Sequence, residues 1–437
     1  MAEQQQQQGQ QAEQNAEELS VKQVKQPIKR FINQIPPEIL DNQLLNEAIK
    51  ILPSHYNFEI HKSIWRIIER KEQLGKDNII VTLQFPEGLM LFACLIADIL
   101  QNFAQCECII MGDVTYGACC VDDLGAKDLG SDFLIHYGHS CLVPITDTCT
   151  KTLYVFVEIA IDMNHWLETV RLNFPNKSDI INLMGTVQFN TIMFESKKIL
   201  ESEGYNIVMP QEKPRSAGEV LGCTSPKLPV NTSGKNIVLF LCDGRFHMEA
   251  TMIANPEYQF YQYNPYSKAL TIESYDHKMM LDIRYKEVQK SQKINKRVGI
   301  IMGTLGRQGS PHILKRIEDL LKEKNVDYFV LLVSELNFQQ LELVADEVDF
   351  FVQISCPRLS VDWGAAFSKP LLNPYEFFVA MKQIDWKSIY PMDNYSNNGE
   401  MWTNYFHKNK GKKCNEECQQ GACTCNSKKN KIRIKYE

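Results

Sequence analysis

Short apolar runs alternate with amphipathic segments along most of the chain, and one layout occurs three times. Each copy contains a β-branched run, a turn with Gly or Pro, an amphipathic helical segment, and then a second apolar run. The copies begin with NIIVTLQFPEG at Asn78, DIINLMGTVQF at Asp179 and RVGIIMGTLGRQGSP at Arg297. Continuous apolar runs are typical of parallel strands that are covered on both faces. The pattern therefore predicts three βαβ units.

The spacing of these units indicates how the chain is divided. They start roughly 100 to 120 residues apart, which is a typical domain length. We therefore expect an α/β fold of three similar domains, each a small parallel sheet flanked by helices, although βαβ units also recur within one large sheet. The predicted segments are an N-terminal tail and lead-in at 1–39, domains at 40–175, 176–290 and 291–395, and a C-terminal tail at 396–437.

Composition narrows the class of protein. The 437 residues carry a formal net charge of −6, which disfavours a generally basic nucleic-acid binder. We see no apolar run of membrane-spanning length and no basic-then-apolar signal pattern, so we expect no membrane association and a cytoplasmic location. The opening MAEQQQQQGQQAEQNAEE is a Gln-rich, low-complexity stretch that we expect to be disordered.

Fourteen cysteines exceed what packing requires, and thiols stay reduced in the cytosol. Cys119, Cys223 and Cys356 each follow a strand-like run, in YGACC, LGCTSP and ISCPRLS. Ligands collect at the carboxyl edge of parallel sheets, so one cysteine from each domain could converge there. Three thiolates suit a [4Fe–4S] cluster with one open iron, or a zinc site with one open position. The alternative is packed thiols, because free cysteine is often buried.

The remaining cysteines carry weaker signals. Cys94 lies on an apolar helical segment and is predicted to belong to the core, and Cys120 is predicted to be a neighbour of a ligand rather than a ligand. The tail spacing C-x3-C-x4-C-x-C differs from the C-x3-C-x2-C loop of ordinary radical S-adenosylmethionine enzymes. It fits either a short metal-binding tract or a flexible basic segment with reactive thiols. The tail cysteines are Cys414, Cys418, Cys423 and Cys425.

Several longer motifs occur together in one order. They are PEGLMLFACLIADIL, MGDVTYGACCVDDLGAKDLGSDFLIHYGHSCLVP, LGCTSP, DGRFHMEATMIANP, MGTLGRQGSP and CPRLSVDWGAAFSKPLLNPYE. Together they resemble the catalytic subunits of the eukaryotic diphthamide-synthesis enzymes, the 2-(3-amino-3-carboxypropyl)histidine synthases. The resemblance extends from about Pro36 to Asp393 and leaves both tails outside it.

The resemblance implies a fold and a reaction. Family members have three α/β domains around a pseudo-threefold axis, with [4Fe–4S] ligands that match Cys119, Cys223 and Cys356. They cleave the sulfur–Cγ bond of S-adenosylmethionine and transfer a 3-amino-3-carboxypropyl radical to imidazole C2 of a histidine on translation elongation factor 2. Because imidazole C2 is a poor nucleophile, a radical route and a low-potential electron donor make chemical sense.

The resemblance also implies partners. The enzyme works as a heterodimer with a homologous subunit 2 whose ligand set is incomplete, and it needs an external reductant protein. All three cysteines are present here, which favours the catalytic subunit. Two other functions remain open: a quinolinate synthase-like iron–sulfur dehydratase, and a non-catalytic subunit that stabilises its partner.

Residues that would contact S-adenosylmethionine are predicted from two loops. In CDGRFH, Gly244 would permit close backbone approach, and either Arg245 or Arg358 would fork onto a carboxylate. Asp243 would face the cation, although Asp243 and Arg245 could instead pair with each other. GTLGRQGSP lacks the spacing of a phosphate-binding P-loop, so its glycines would either admit the adenosyl group or only shape a turn.

Overall fold

Three small sheets form the framework of the fold. The computed structural model describes residues 35–230 and 235–406. The strands are β1 (Tyr56–Asn57), β2 (Ile80–Gln84), β3 (Glu107–Ile110), β4 (Phe133–Tyr137), β5 (Thr152–Val155), β6 (Glu158–Ile159), β7 (Ile180–Gly185), β8 (Asn206–Val208), β9 (Asn236–Leu241), β10 (Gln259–Asn264), β11 (Ala269–Glu273), β12 (Val298–Gly303), β13 (Tyr328–Val333), β14 (Phe350–Ile354) and β15 (Leu371–Leu372).

Helices lie between most of these strands. The α-helices are α1 (Pro37–Leu40), α2 (Gln43–Ile49), α3 (Ile60–Leu74), α4 (Ala93–Ala104), α5 (Asp123–Asp128), α6 (Met163–Asn173), α7 (Asn190–Ser202), α8 (Phe246–Ala254), α9 (His277–Lys290), α10 (Pro311–Glu323), α11 (Phe338–Glu342), α12 (Pro357–Trp363) and α13 (Pro374–Ala380). Short 3-10 turns include Glu87–Phe92, which leads directly into α4, and Ala118–Cys120.

The strand order repeats the predicted layout. The first sheet has the order β3-β2-β4-β5, the second β11-β10-β9-β7-β8 and the third β13-β12-β14-β15. The pairs β2–β3, β7–β8 and β12–β13 are parallel and are joined through α4, α7 and α10 respectively. The prediction of an α/β fold with several small parallel sheets flanked by helices is therefore confirmed. The domain boundaries stay predictions.

Local sequence explains why these elements form where they do. Helix α10 begins with Pro311 at its first position, where the absent N–H costs nothing. Its buried residues Ile313, Ile317, Leu320 and Leu321 follow the i, i+4, i+7, i+8 stripe of a helix that lies on a sheet. This face packs against β12 and β14 in the largest buried cluster of the described chain.

Other parts of the structure differ from expectation. Strand β11 pairs antiparallel with β10 and extends the second sheet by a hairpin that the βαβ pattern does not contain. Cys94 is exposed rather than in the core, because it lies on the outer side of α4 while Ile96 and Leu100 face inward. Within 396–406, part of the predicted polar tail, Trp402 and Tyr405 are buried.

One helical stretch bears on the membrane prediction. Glu87–Ala104 is long and apolar enough to cross a membrane by length and composition, contrary to the sequence expectation. Ile96 and Leu100 of this stretch are fully buried in the core beside β2, and core helices of this kind pass the same test. Of the predicted N-terminal tail and lead-in at 1–39, residues 1–34 with the Gln-rich stretch lie outside the described residues, and α1 begins within the remainder. The four tail cysteines, Cys414, Cys418, Cys423 and Cys425, also lie outside the described residues.

Candidate functional site

Three cysteines from three loops line one cavity of ≈ 290 Å³. Cys119 lies in the 3-10 turn that follows β3, and Cys223 lies in the long loop between β8 and β9. Cys356 caps the N-terminus of α12, just after β14. The structure thus brings together the three cysteines singled out by their strand-end positions, and their role as ligands stays a prediction.

A loop that follows β12 supports the Cys119 turn. Gly306 has a left-handed φ of +54°, and a Cβ there would lie 2.4 Å from the backbone of Cys120. The Arg307 N–H donates to the carbonyl of Cys119 at 2.8 Å. The Arg307 guanidinium donates to both carboxylate oxygens of buried Asp123, at 2.7 and 2.6 Å. Gly306 therefore admits protein backbone rather than an adenosyl group, whereas Gly303, the last residue of β12, does line the cavity.

The Cys223 loop is held by the segment that follows α13. The Asn394 N–H donates to the Cys223 carbonyl at 3.3 Å, and the Ser225 N–H donates to the Met392 carbonyl at 2.8 Å. Tyr395 and Tyr405 pack in the same buried cluster as Cys223. Sequence reasoning assigned Tyr405 to a tail and missed this contact; an aromatic residue in a polar stretch was the available signal.

Burial disfavours thiolates in this cavity. Burial raises the pKa of Cys223, and burial together with the nearby Cys223 raises the pKa of Cys356 to about 12. A hydrogen bond with Cys120, then burial, raises the pKa of Cys119, and Cys223 and Cys356 add to that rise. The same hydrogen bond lowers the pKa of Cys120 to about 7. Three thiolates would repel one another here, so a metal centre is the natural counter-charge.

The arrangement of the sulfurs bears on the kind of centre. Across residues 35–230 and 235–406, no three His, Cys, Asp or Glu side chains meet as closely as one metal ion requires. A single zinc ion needs every sulfur about 2.3 Å away from one point. In an iron–sulfur cluster each cysteine binds a different iron, so the ligands surround a volume. Cys119, Cys223 and Cys356 surround a cavity and so fit a cluster better than zinc.

Arg358 is the predicted cofactor residue that the structure does place at this cavity. It is buried, and its Nε lies 2.9 Å from both carboxylate oxygens of Asp362, while its Nη2 donates to Glu249 at 2.6 Å. Its Nη1 donates to the Phe246 carbonyl at 2.9 Å, and the guanidinium stacks 4.7 Å from the Phe246 ring centroid. The charge of Arg358 is thus balanced by two carboxylates.

The other predicted cofactor residues lie elsewhere. Asp243, Gly244 and Arg245 do not line the cavity, which is bounded in this stretch by the next two residues, Phe246 and His247. Arg245 is exposed and pairs with Glu249 and Glu273, so the alternative of an Asp243–Arg245 pair is not what forms. The helix start at Phe246 turns Arg245 outward, and a strand-end pattern alone does not reveal that direction.

Three buried histidines, of which His247 lines the cavity, are held neutral. Burial lowers the pKa of His139 and of His247 to about 4; the nearby His247 adds to the lowering for His139, and the nearby Arg358 adds to it for His247. Burial lowers the pKa of His136 as well, and its Nδ1 lies 2.8 Å from the Gln84 side-chain oxygen. His247 therefore offers the cavity an uncharged imidazole.

The comparisons with known proteins agree on one family. A family model of diphthamide synthesis proteins matches residues 85–391. The chain is 50% identical over 377 residues to the Dictyostelium discoideum 2-(3-amino-3-carboxypropyl)histidine synthase subunit 1, covering 85% of this chain and 78% of that protein. It is 50% identical over 372 residues to the human protein of the same name, covering 85% and 82%.

A solved structure extends the likeness to the fold. The crystal structure of Dph2 from Pyrococcus horikoshii with a 4Fe-4S cluster superposes with a TM-score of 0.61 at 26% identity. The match covers 76% of this chain and 93% of that chain.

Proposed function

Because this chain belongs to the diphthamide synthesis family, we propose that it transfers the 3-amino-3-carboxypropyl group of S-adenosylmethionine to imidazole C2 of a histidine on translation elongation factor 2. The names of its relatives indicate an enzyme, a synthase of diphthamide biosynthesis. The proposed reaction breaks the sulfur–Cγ bond, forms a carbon–carbon bond at C2, and releases methylthioadenosine and the C2 proton. This makes the chain a transferase of the non-conventional radical iron–sulfur kind.

One observation carries the proposal: Cys119, Cys223 and Cys356, from three separate loops, line one cavity. Four protein thiolates would saturate a [4Fe–4S] cluster, whereas three leave one iron open to substrate. The Pyrococcus horikoshii Dph2 structure contains a 4Fe-4S cluster. When bound, the cluster would supply the single electron that cleaves the sulfonium and would take one electron back as the alkylated imidazole loses its C2 proton.

The remaining cavity wall suits S-adenosylmethionine. Asp362 and Glu335 line it and would face the sulfonium and amino cations, while Arg358 would reach the carboxylate by exchanging one of its present partners. Leu142 and Leu221 exclude water from the thiols, which strengthens these charge interactions. Neutral His247 would hydrogen-bond without adding charge.

The mouth of the cavity suits a flat ring. Tyr116 and Trp363 line it with large exposed side chains, each 66% exposed, and Phe246 is 44% exposed. Aromatic rings so placed would stack on adenine or on the incoming imidazole.

The proposed partners follow from the family. A subunit 1 implies a complex of several subunits, and we propose a heterodimer with a homologous subunit 2. The reaction also needs an external reductant protein, because one electron starts it. We place this chemistry in the cytoplasm, where elongation factor 2 works.

The test is anaerobic reconstitution of the full chain with its partner subunit. Iron, sulfide and methylthioadenosine are measured for the wild type and for Cys119→Ser, Cys223→Ser and Cys356→Ser. Each substitution removes a ligand, so we expect turnover to fall by more than the about 10–100-fold that loss of an outer contact costs. Cys94→Ser, at an exposed cysteine, is the matched control and should keep full cluster content.

Two results would contradict the proposal. Zinc in place of iron would exclude the radical route, and full turnover in any of the three ligand variants would remove that cysteine from the site. An iron–sulfur cluster without methylthioadenosine production would point to the dehydratase alternative.

A further inference from the structure

Arg215, in the loop between β8 and β9, carries a buried charge that the described protein does not neutralise. The residue is only 3% exposed. Its Nε, Nη1 and Nη2 are all buried and have no hydrogen-bond partner within residues 35–230 and 235–406. An unpaired guanidinium in the interior is strongly unfavourable, because it loses its hydration and gains nothing in return.

Arg215 lies in the same loop as Cys223 and within electrostatic reach of it, although Arg215 is not among the residues that line the cavity. Burial lowers the pKa of Arg215, and the charge that most opposes this effect is Cys223, ahead of Glu219 and Glu212. In the other direction, Arg215 is the first cation that offsets the raised pKa of Cys223, ahead of Arg358. Arg215 therefore acts electrostatically on the cavity through Cys223.

Arg358 differs from Arg215 although both act on Cys223. Asp362 and Glu249 already balance the charge of Arg358. Glu219, the acidic residue with the largest influence on Arg215, makes no ion pair with it, and its Oε1 also lacks a hydrogen-bond partner among the described residues. Arg358 lines the cavity with its charge already balanced, whereas Arg215 lies outside the lining with a charge that no described partner balances.

We propose that Arg215 lies behind Cys223 as seen from the cavity, stabilises the reduced form of the cluster from there, and so sets its reduction potential. The inference rests on the proposed function, since it requires a cluster at Cys119, Cys223 and Cys356. A cluster held by three thiolates is an anion and gains one more negative charge on reduction. A buried cation favours that state because the interior screens charge poorly. Charge and hydrogen bonds near the sulfurs are established means of tuning such clusters.

The decisive measurement is the midpoint potential of the anaerobically reconstituted full chain with its partner subunit, followed by spin resonance of the reduced cluster. Arg215→Met should shift the reduced-to-oxidised ratio at a fixed potential by at least about tenfold toward oxidised, which is 59 mV for one electron. Arg215→Lys keeps the charge and should stay close to the wild type. Glu219→Gln removes an opposing charge and should shift the potential the other way.

Arg316→Met is the matched control. Arg316 is a partly buried arginine that donates to the Thr403 carbonyl, and it is not among the charges that act on the three cysteines. Its loss should leave the potential unchanged. A purely structural role of Arg215 would lower cluster content without moving the potential of the clusters that form.

The outcomes separate the two proposals. A wild-type chain that takes up no cluster overturns the proposed function, and this inference with it. A cluster whose potential is the same in the wild type, Arg215→Met and Glu219→Gln overturns this inference alone. If Arg215→Met takes up no cluster, the near-isosteric Glu219→Gln decides the question. A midpoint potential more positive than that of the wild type supports the inference, and an unchanged potential overturns it.

Discussion

Two buried arginines are held in opposite ways. Arg284 of α9 lies against Glu376 of α13, with exposures of 1% and 0%, and donates through Nε and Nη2 at 2.7 Å each. The same carboxylate accepts the Tyr390 hydroxyl at 2.8 Å and the Asn373 N–H at 3.0 Å. Arg215 is as deeply buried but has no such partner in the described chain.

The difference distinguishes a buried charge that the protein itself balances from one that we propose a ligand balances. In charge, the Arg284–Glu376 pair is complete within the protein, although the Arg284 Nη1 has no hydrogen-bond partner among the described residues. Removing either partner would leave the other charge buried and uncompensated. The charge of Arg215 has no such partner among the described residues, and we propose that an anionic cluster beside Cys223 supplies it. A buried charge that lacks a partner indicates that a ligand belongs nearby.

Breaking the complete pair should have the largest effect. Arg284→Met leaves Glu376 buried and uncompensated, which should lower the free energy of unfolding by about 3–5 kcal/mol. Urea unfolding monitored by circular dichroism measures the change. Arg171→Ala, in the exposed pair with Glu203, is the control and should change nothing measurable. A loss for Arg284→Met no larger than for this control would show that the pair is dispensable.

The same Arg-to-Met substitution at Arg215 should raise the free energy of unfolding rather than lower it. In the cluster-free chain, Arg215→Met removes an unpaired buried charge and should raise the free energy of unfolding by about 1–4 kcal/mol. Cluster loading should then stabilise the wild type more than the variant. Urea unfolding of apo and loaded chains provides both values. Destabilisation of the apo chain by Arg215→Met would mean that the guanidinium has a protein partner after all.

Lowering the pH should reduce the free energy of unfolding, by less than the substitutions at the two arginines change it. His139 and His247 have pKa values lowered to about 4, against 6.5 for an exposed histidine, so the unfolded chain binds more protons between these limits. Their contribution to stability is fully present above pH 6.5 and is lost as pH falls toward 4. The slope should be up to about 1.4 kcal/mol per pH unit for each histidine.

The pH slope has a simple control. His139→Gln removes one titrating group. It should therefore reduce the slope of the free energy of unfolding against pH, between pH 6.5 and 5, by the contribution of one proton. The slope is obtained from urea unfolding at several pH values. An unchanged slope in His139→Gln would show that this ring does not stay neutral in the folded chain.

Local pattern predicted much of the fold, because the period of apolar residues is a short-range property. It identified β2, β7 and β12 with their following helices. Of the three cysteines assigned to strand ends, Cys356 directly follows β14, whereas Cys119 and Cys223 lie further along the segments after β3 and β8. It did not predict the β10–β11 hairpin, because two polar-faced strands give no continuous apolar run.

The contacts that build the site were not predictable in the same way. Arg307 and Asp123 are 184 residues apart in sequence, as are Ser396 and Glu212, which also hydrogen-bond. Many other partners would satisfy each residue equally well, so the pairing depends on how three sheets meet. The unpaired state of Arg215 is likewise a property of its surroundings and has no sequence pattern.

The backbone partner of Cys223 comes from residues 392–394, beyond the third sheet. A nascent chain still on the ribosome can fold its first and second sheets while this closing segment is unmade. The Cys223 loop is then held on one side only. The backbone contacts that hold the Cys223 loop are therefore complete only once residues 392–394 have been synthesised and have folded against it.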